Sequence, residues 1–164
     1  MRTLIVALAT AIHLLPHPFG VSPVGALALY GGAHGNRRVS WLVPTLPLLV
    51  AAIVFGFYDL TVMAFVFAGF MLSALVGQAL LKDQRGGARY PVAVVCAAIV
   101  FFLVSNFSIW LVGMYPPTAA GLLSCYLNGL PYLGIAIIAD SIYCAVFFGL
   151  HHQLTAEEDD LAFA

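Results

Sequence analysis

Long apolar runs dominate this chain, and short segments rich in proline, glycine or charged residues separate them. The runs predict six helices, with the ranges 3–15, 22–35, 40–57, 60–81, 91–113 and 133–151. At about 1.5 Å per residue, the third to sixth are long enough to cross a hydrocarbon core of about 30 Å, whereas the first two fall short. The first two are therefore predicted to form either short helices or a re-entrant hairpin.

The composition indicates that these helices lie in lipid. Of the 164 residues, 63% are hydrophobic and 8% are charged, and the mean hydropathy is +1.04. Such a chain has far more apolar surface than a soluble fold of this size can bury. We predict an all-α integral membrane protein, a compact bundle of about six transmembrane helices over residues 1–152, followed by an acidic cytoplasmic tail over 153–164. The net charge of −1 and the acidic tail leave no basic face for nucleic acid.

The basic side chains are distributed unevenly along the chain. If it crosses the membrane six times, all six fall on one side: Arg2, Arg37, Arg38, Lys82, Arg85 and Arg89. By the positive-inside rule this side is cytoplasmic, with both termini, in the inner or plasma membrane. The opposite connections contain no Lys or Arg but are rich in polar and aromatic residues, namely His13, His17, Tyr58, Asp59, Trp110, Tyr115, Tyr126, Asn128 and Tyr132.

Asp140 is the one acid well inside a predicted apolar helix. An ionised carboxylate in that setting is unfavourable unless it is paired or lines a wet cavity, so the residue is a candidate binding group. Tyr143 and Cys144 follow at helical spacing and are predicted to share its face. The alternative is a protonated or hydrogen-bonded aspartate that only joins two helices.

Asn106 and Trp110 are candidates for holding a planar ligand, because they are four residues apart and share one face of the fifth helix. An indole supplies a flat apolar body, and an amide supplies donors and acceptors. The alternative for Trp110 and Tyr115 is simple anchoring at the membrane interface, where aromatic rings are enriched.

His17 is a further candidate contact for a substrate. Together with His13 and either Asp59 or Asp140 it would supply metal ligands, but Pro16 interrupts the helical spacing of the two histidines. Local hydrogen bonds or contact with an organic substrate are the alternatives. The three cysteines have no metal-ligand or disulfide spacing. We expect no resident metal or cofactor.

Two further segments invite interpretation. Residues 114–132 contain Tyr115-Pro116-Pro117-Thr118, which ends a helix, and an apolar stretch that is predicted to lie in the membrane interface or to fold back over the bundle as a lid. Small residues recur at four-residue spacing at Gly69, Ser73 and Gly77, and at Ala7 and Ala11, which is typical of helix packing in lipid.

No nucleotide-binding or catalytic motif occurs, so we do not expect an enzyme.

Three blocks of sequence resemble uncharacterised bacterial membrane proteins grouped as S components of energy-coupling-factor (ECF) transporters. The blocks are His17-Pro18-Phe19 with Ser22-Pro23-Val24-Gly25-Ala26-Leu27-Ala28-Leu29-Tyr30-Gly31-Gly32-Ala33; Phe101-Phe102, Ser105-Asn106-Phe107, Trp110-Leu111, Tyr115-Pro116, Thr118, Gly121-Leu122 and Cys125-Tyr126; and Pro131-Tyr132, Ile138-Ala139-Asp140 and Phe147-Phe148-Gly149. The resemblance spans nearly the whole chain.

The resemblance implies a six-helix membrane subunit that captures a vitamin-like molecule or a metal on its outer face and delivers it by toppling in the membrane. It also implies a transmembrane coupling subunit and two ATPases as partners, with Ala7 and Ala11 in the docking motif on the first helix. One departure is that Ile53-Val54 occupies the place before Gly56 where the resemblance leads us to expect an acid.

These observations lead to two hypotheses. The first is a substrate-binding membrane subunit whose pocket is formed by the 16–21 turn, the fifth helix, the 114–132 segment and the last helix. Its predicted substrate contacts are His17, Asn106, Trp110, Tyr115 and Asp140. The second is a small structural or assembly membrane protein with no transported substrate. The sequence leaves the identity of the substrate, the oligomeric state and the existence of a coupling partner open.

Overall fold

The computed structural model describes residues 2–18, 20–36, 38–82 and 89–162, with side chains for all of these except Arg2 and 157–162. These residues form six α-helices and one short 3₁₀ turn, Ser40–Leu42, and contain no strand. The helices are α1 (Arg2–Leu14), α2 (Val24–His34), α3 (Thr45–Phe55), α4 (Leu60–Leu80), α5 (Arg89–Leu111) and α6 (Ala119–Ala162). The prediction of an all-helical fold with six helices is confirmed for the described residues.

Three of these helices are long and apolar enough to cross a membrane: α4, α5 and the part of α6 from Ala119 to Ala156. The other three contain 13, 11 and 11 residues, or about 20, 17 and 17 Å at 1.5 Å per residue. The first two helices are short, as predicted, whereas the third is shorter than predicted and is not among the helices long enough to cross a membrane. The 3₁₀ turn and Pro44 precede α3, and Gly56, with φ of +96°, ends it.

The long helices alternate in direction. Ser73 of α4 donates to the carbonyl oxygen of Ala97 in α5 at 3.1 Å. The Tyr126 hydroxyl of α6 donates to the carbonyl oxygen of Leu103 at 2.8 Å, and Tyr90, at the start of α5, meets Phe148 with ring centroids 4.8 Å apart. The last turn of α4, the first turn of α5 and the region of α6 around residue 148 therefore lie at one end of the bundle.

This end carries Arg38, Lys82 and Arg89, and we call it the basic end. Lys82, just after α4, donates to the carbonyl oxygen of Gly35 at 2.9 Å, which brings the end of α2 to the same place. Arg38 follows α2 closely, and Arg89 begins α5. Arg37, Arg85 and the side chain of Arg2, which were predicted to lie on the same side, are outside the part of the chain that the structure describes.

The small residues of α4 permit close packing with its neighbours. Gly69, Ser73 and Gly77 are buried. A Cβ atom on Gly77 would lie 2.5 Å from the carbonyl oxygen of Leu29, so α2 crosses α4 almost backbone to backbone. Helix association in lipid depends on such approaches because there is no hydrophobic driving force between helices there. The packing interpretation of this motif is confirmed.

Helix α2 begins inside the bundle. Its residues from Val24 to Gly32 are all buried. Val24 packs in one cluster with Leu48 and Phe70, and Phe70 is at the middle of α4. The preceding connection also packs inward, since Gly20 (φ +86°) lies against Ile135 of α6. Thus α1 and α2 are short helices whose connecting turn packs into the bundle, and the re-entrant hairpin stays a prediction.

Helix α6 begins earlier and ends later than predicted. Thr118 caps it, because its hydroxyl oxygen accepts the backbone N–H of Gly121 at 3.1 Å. The helix then continues through Pro131 and residue 151 to Ala162. Residues 119–132 are therefore its first turns, and the prediction of a separate lid over 114–132 is wrong. Proline is tolerated within membrane helices because neighbouring groups satisfy the freed carbonyl.

Candidate functional site

A cavity of about 650 Å³ lies between α3, α4, α5 and α6 on the side of the bundle away from the basic end. Its walls are mainly apolar, and five phenylalanines contribute to them: Phe55, Phe67, Phe70, Phe101 and Phe102. The polar side chains that line it include His13, Ser22, Tyr58, Asn106, Tyr132 and Asp140. A few polar groups in an apolar chamber are the usual composition of a small-molecule site.

Asp140 lies at the inner end of the cavity, where α2 begins. Its side chain is 7% exposed, and Oδ1 accepts the backbone N–H of Ala26 at 3.0 Å. A Cβ atom on Gly25 would overlap the carboxylate, so only glycine allows this approach. Asp140 therefore caps the N-terminus of α2 from a different helix, and the positive end of the helix dipole faces the carboxylate.

The end of α1 and the turn that follows it add two polar side chains to the cavity, His13 and Ser22. The Ser22 hydroxyl lies 3.2 Å from Nδ1 of His13 and also accepts the backbone N–H of Val24 at 3.3 Å. His17 stacks on His13 with ring centroids 5.6 Å apart, but it is exposed and does not line the cavity. Because α1 ends at Leu14, before Pro16, the two histidines are not on one helical face.

Asn106 lines the cavity from α5. Its Nδ2 donates to the carbonyl oxygen of Phe102 at 2.9 Å. A Cβ atom on Gly129 of α6 would lie only 2.6 Å from Oδ1 of Asn106. The two helices therefore approach closely at this point. The amide thus has one donor engaged in its own helix and its oxygen at the wall of the cavity.

Trp110 and Tyr115 are not among the residues that line the cavity. The indole Nε1 of Trp110 donates to the carbonyl oxygen of Pro116 at 3.0 Å, and the Tyr115 hydroxyl accepts from Nδ2 of Asn128 at 3.3 Å. These contacts fix the turn between α5 and α6. Tyr143 and Cys144 pack in the core cluster around Phe147 and also lie outside the cavity lining.

Tyr58 enters the cavity from the loop between α3 and α4. Partial burial raises the pKa of its phenol above the usual value, so the hydroxyl remains protonated and able to donate at neutral pH.

Among the described residues, no group of three or more His, Cys, Asp or Glu side chains is arranged to hold a metal ion.

The profile of one protein family, described as a family of unknown function (DUF6580), matches residues 1–160. The chain belongs to this family. No curated protein and no solved structure gives a match. The description of DUF6580 names no activity or ligand, so the function of this member is inferred from its cavity.

Sequence reasoning missed the apolar part of the site. Phe67 and Phe101, for example, are embedded in continuous apolar runs, where a cavity-lining ring and a lipid-facing ring look alike. Ser22 was also missed, although a hydroxyl just before the Pro23-Val24 start of α2 is a helix-start signal. Asp140 and Asn106 were found because polar groups stand out in apolar helices.

Proposed function

We propose that this protein is a substrate-binding subunit in the cell membrane, which captures a small organic nutrient from outside the cell for uptake. The observation that carries the proposal is the cavity. Its volume of about 650 Å³ falls within the range of about 300–1,000 Å³ typical of ligand pockets. Packed helices usually fill the space between them, so a partly open chamber of this size favours ligand binding over a purely structural role.

The three long apolar helices support a position in the membrane, and the basic end supports an orientation. By the positive-inside rule, Arg38, Lys82 and Arg89 lie on the cytoplasmic side. The cavity, which lies away from them, then faces the exterior. The loop at 56–59 marks that outer side, and Asn36 marks the inner side.

Cysteine labelling tests this orientation. In a variant with Cys96, Cys125 and Cys144 replaced by alanine, a cysteine at Asp59 is expected to react with a membrane-impermeant maleimide on intact cells. A cysteine at Asn36 is expected to react only after the membrane is opened. The reverse pattern would place the cavity on the cytoplasmic side and contradict capture from outside.

The resemblance to ECF S components supports a partner-dependent transporter. Ala7 and Ala11 are exposed on α1, whereas Ile5 and Ala9 on the same helix are buried. The two alanines therefore do not serve packing within this protein, and their exposure supports the docking of a coupling subunit that works with ATPases. Lipid contact is the alternative for this face.

The lining of the cavity favours a vitamin-like organic molecule over a metal as cargo. Phenylalanine rings form much of the wall, and they bury flat apolar groups well. Native mass spectrometry of protein extracted directly into lipid nanodiscs is the direct test, and a retained small organic molecule is the expected result. If the protein is recovered empty and no metabolite raises its unfolding temperature, the scaffold hypothesis is favoured instead.

Replacing Asn106 by alanine is expected to weaken binding of the retained molecule about tenfold, because one hydrogen bond to a ligand is lost. The comparison is Asn128→Ala, since Asn128 is exposed and does not line the cavity. Calorimetric titration of both variants in nanodiscs gives the two dissociation constants. Equal dissociation constants for the two variants would show that Asn106 does not contact the ligand.

A further inference from the structure

The two carboxylate oxygens of Asp140 have different surroundings. Oδ1 is held by the Ala26 N–H at 3.0 Å. Oδ2 has no hydrogen-bond donor among the residues that the structure describes, although the side chain is more than nine-tenths buried and lines the cavity. Oδ2 is not fully enclosed by the described residues, so a donor on a ligand in the cavity is able to reach it.

The charge around Asp140 is only partly balanced. The N-terminus of a helix carries about half a positive charge, which offsets part of one carboxylate. Neither Lys nor Arg is found among the described residues that line the cavity. His13 is the one histidine among the described lining residues, and its Nδ1 faces the Ser22 hydroxyl. An ionised Asp140 would leave a residual negative charge in this apolar chamber, and a cationic ligand would balance that charge.

The walls favour a cation of a particular kind. Phe70 and Phe101 stack with centroids 4.1 Å apart, and both line the cavity. Aromatic faces attract organic cations and pack against flat rings, whereas a small hydrated ion would lose its water shell here without enough oxygen ligands to replace it.

These observations point to one class of substrate, and this inference rests on the proposed function. We propose that the cavity binds an aromatic or heteroaromatic amine whose protonated nitrogen donates to Oδ2 of Asp140 while its ring lies among the phenylalanines. Asp140 thus selects the substrate by charge while it also caps α2.

The competing explanation is that Asp140 only caps α2, and the chain contains a matched control for it. Asp59 caps α4 in the same way, because its Oδ1 accepts the N–H of Val62 at 3.0 Å. Asp59 is exposed and does not line the cavity. An asparagine at either position keeps an oxygen that caps the helix and removes the negative charge. Asp140→Asn makes this change inside the cavity, and Asp59→Asn makes the same change outside it.

The experiment uses three probes with one ring and different charges: tryptamine (cation), tryptophol (neutral) and indole-3-acetate (anion). Each is titrated by calorimetry into the full-length protein in nanodiscs, and empty nanodiscs correct for partitioning into lipid. Wild-type protein is expected to bind tryptamine at least about tenfold more tightly than tryptophol, since a charge-assisted hydrogen bond is lost, and indole-3-acetate least of all.

Asp140→Asn is expected to lose the preference for tryptamine over tryptophol, because an ammonium group without a counter-charge is unfavourable in an apolar cavity. Asp59→Asn is expected to keep the wild-type preference. The inference is overturned if wild-type protein shows no preference for tryptamine, if Asp140→Asn retains that preference, or if none of the probes binds. The proposed function fails separately, when nanodisc-extracted protein retains no molecule and no metabolite stabilises it. If the protein binds tryptophol and tryptamine without preference, the proposal of substrate capture is retained, and the proposal that the substrate is an amine is contradicted.

Discussion

Replacing Gly32 by alanine is expected to destabilise the protein by about 3 kcal/mol, at the upper end of what overpacking usually costs. A Cβ atom at this position would overlap the carbonyl oxygen of Ala74 and lie 2.6 Å from the backbone nitrogen of Gln78. Both obstacles are backbone atoms of α4, so no change of rotamer relieves them. The α2–α4 crossing must open, and α2 carries the N-terminus that Asp140 caps.

The measurement is the free energy of unfolding in mixed micelles with increasing dodecyl sulfate. Gly134→Ala is the matched control, because nothing lies within 4 Å of a Cβ atom there. In that open helical position alanine is expected to be neutral or to stabilise by up to about 1 kcal/mol. If both variants unfold at the same detergent composition, α2 and α4 are not packed backbone to backbone.

Replacing Ala136 by phenylalanine is expected to abolish substrate retention, with an affinity at least about a hundredfold lower. Ala136 lines the cavity and precedes Asp140 by one helical turn. A benzyl group there occupies the space of the ligand. Because the ring enters an existing cavity rather than a filled core, the protein is expected to fold with its stability unchanged or raised.

Ala145→Phe adds the same group to the exposed face of α6, where lipid accommodates it. Native mass spectrometry of the two variants compares the amount of retained molecule. The proposal requires that Ala145→Phe retains it and Ala136→Phe does not. Full retention by folded Ala136→Phe would show that the ligand binds elsewhere.

The helices that cross most of the bundle were well predicted from sequence. The predicted ranges 60–81 and 91–113 correspond to α4 (Leu60–Leu80) and α5 (Arg89–Leu111). Their apolar runs are long and are bounded by the Asp59 cap and by charged or turn-forming residues, which are local signals. The start of α6 was missed because Pro131 suggested a break, whereas the cap at Thr118 determines where the helix begins.

The polar half of the site was partly predicted. Asp140 and Asn106 line the cavity, whereas His17, Trp110 and Tyr115 do not, and their predicted role in binding remains a prediction. Trp110 and Tyr115 instead hold a turn through bonds to Pro116 and Asn128. An aromatic residue near a helix end gives the same sequence signal for a ligand contact, an interface anchor and a turn.

The sequence by itself determined the apolar helices, the charge asymmetry and the presence of a single carboxyl group deep in the last of them. Only the tertiary structure decided that α2 starts inside the bundle, that Asp140 caps it, and that phenylalanines enclose a cavity beside that cap. The partner of Asp140 is 114 residues away, so no local pattern specifies it. Lipid and protein interior are equally apolar, and hydrophobicity alone therefore does not show which side of a helix faces a cavity.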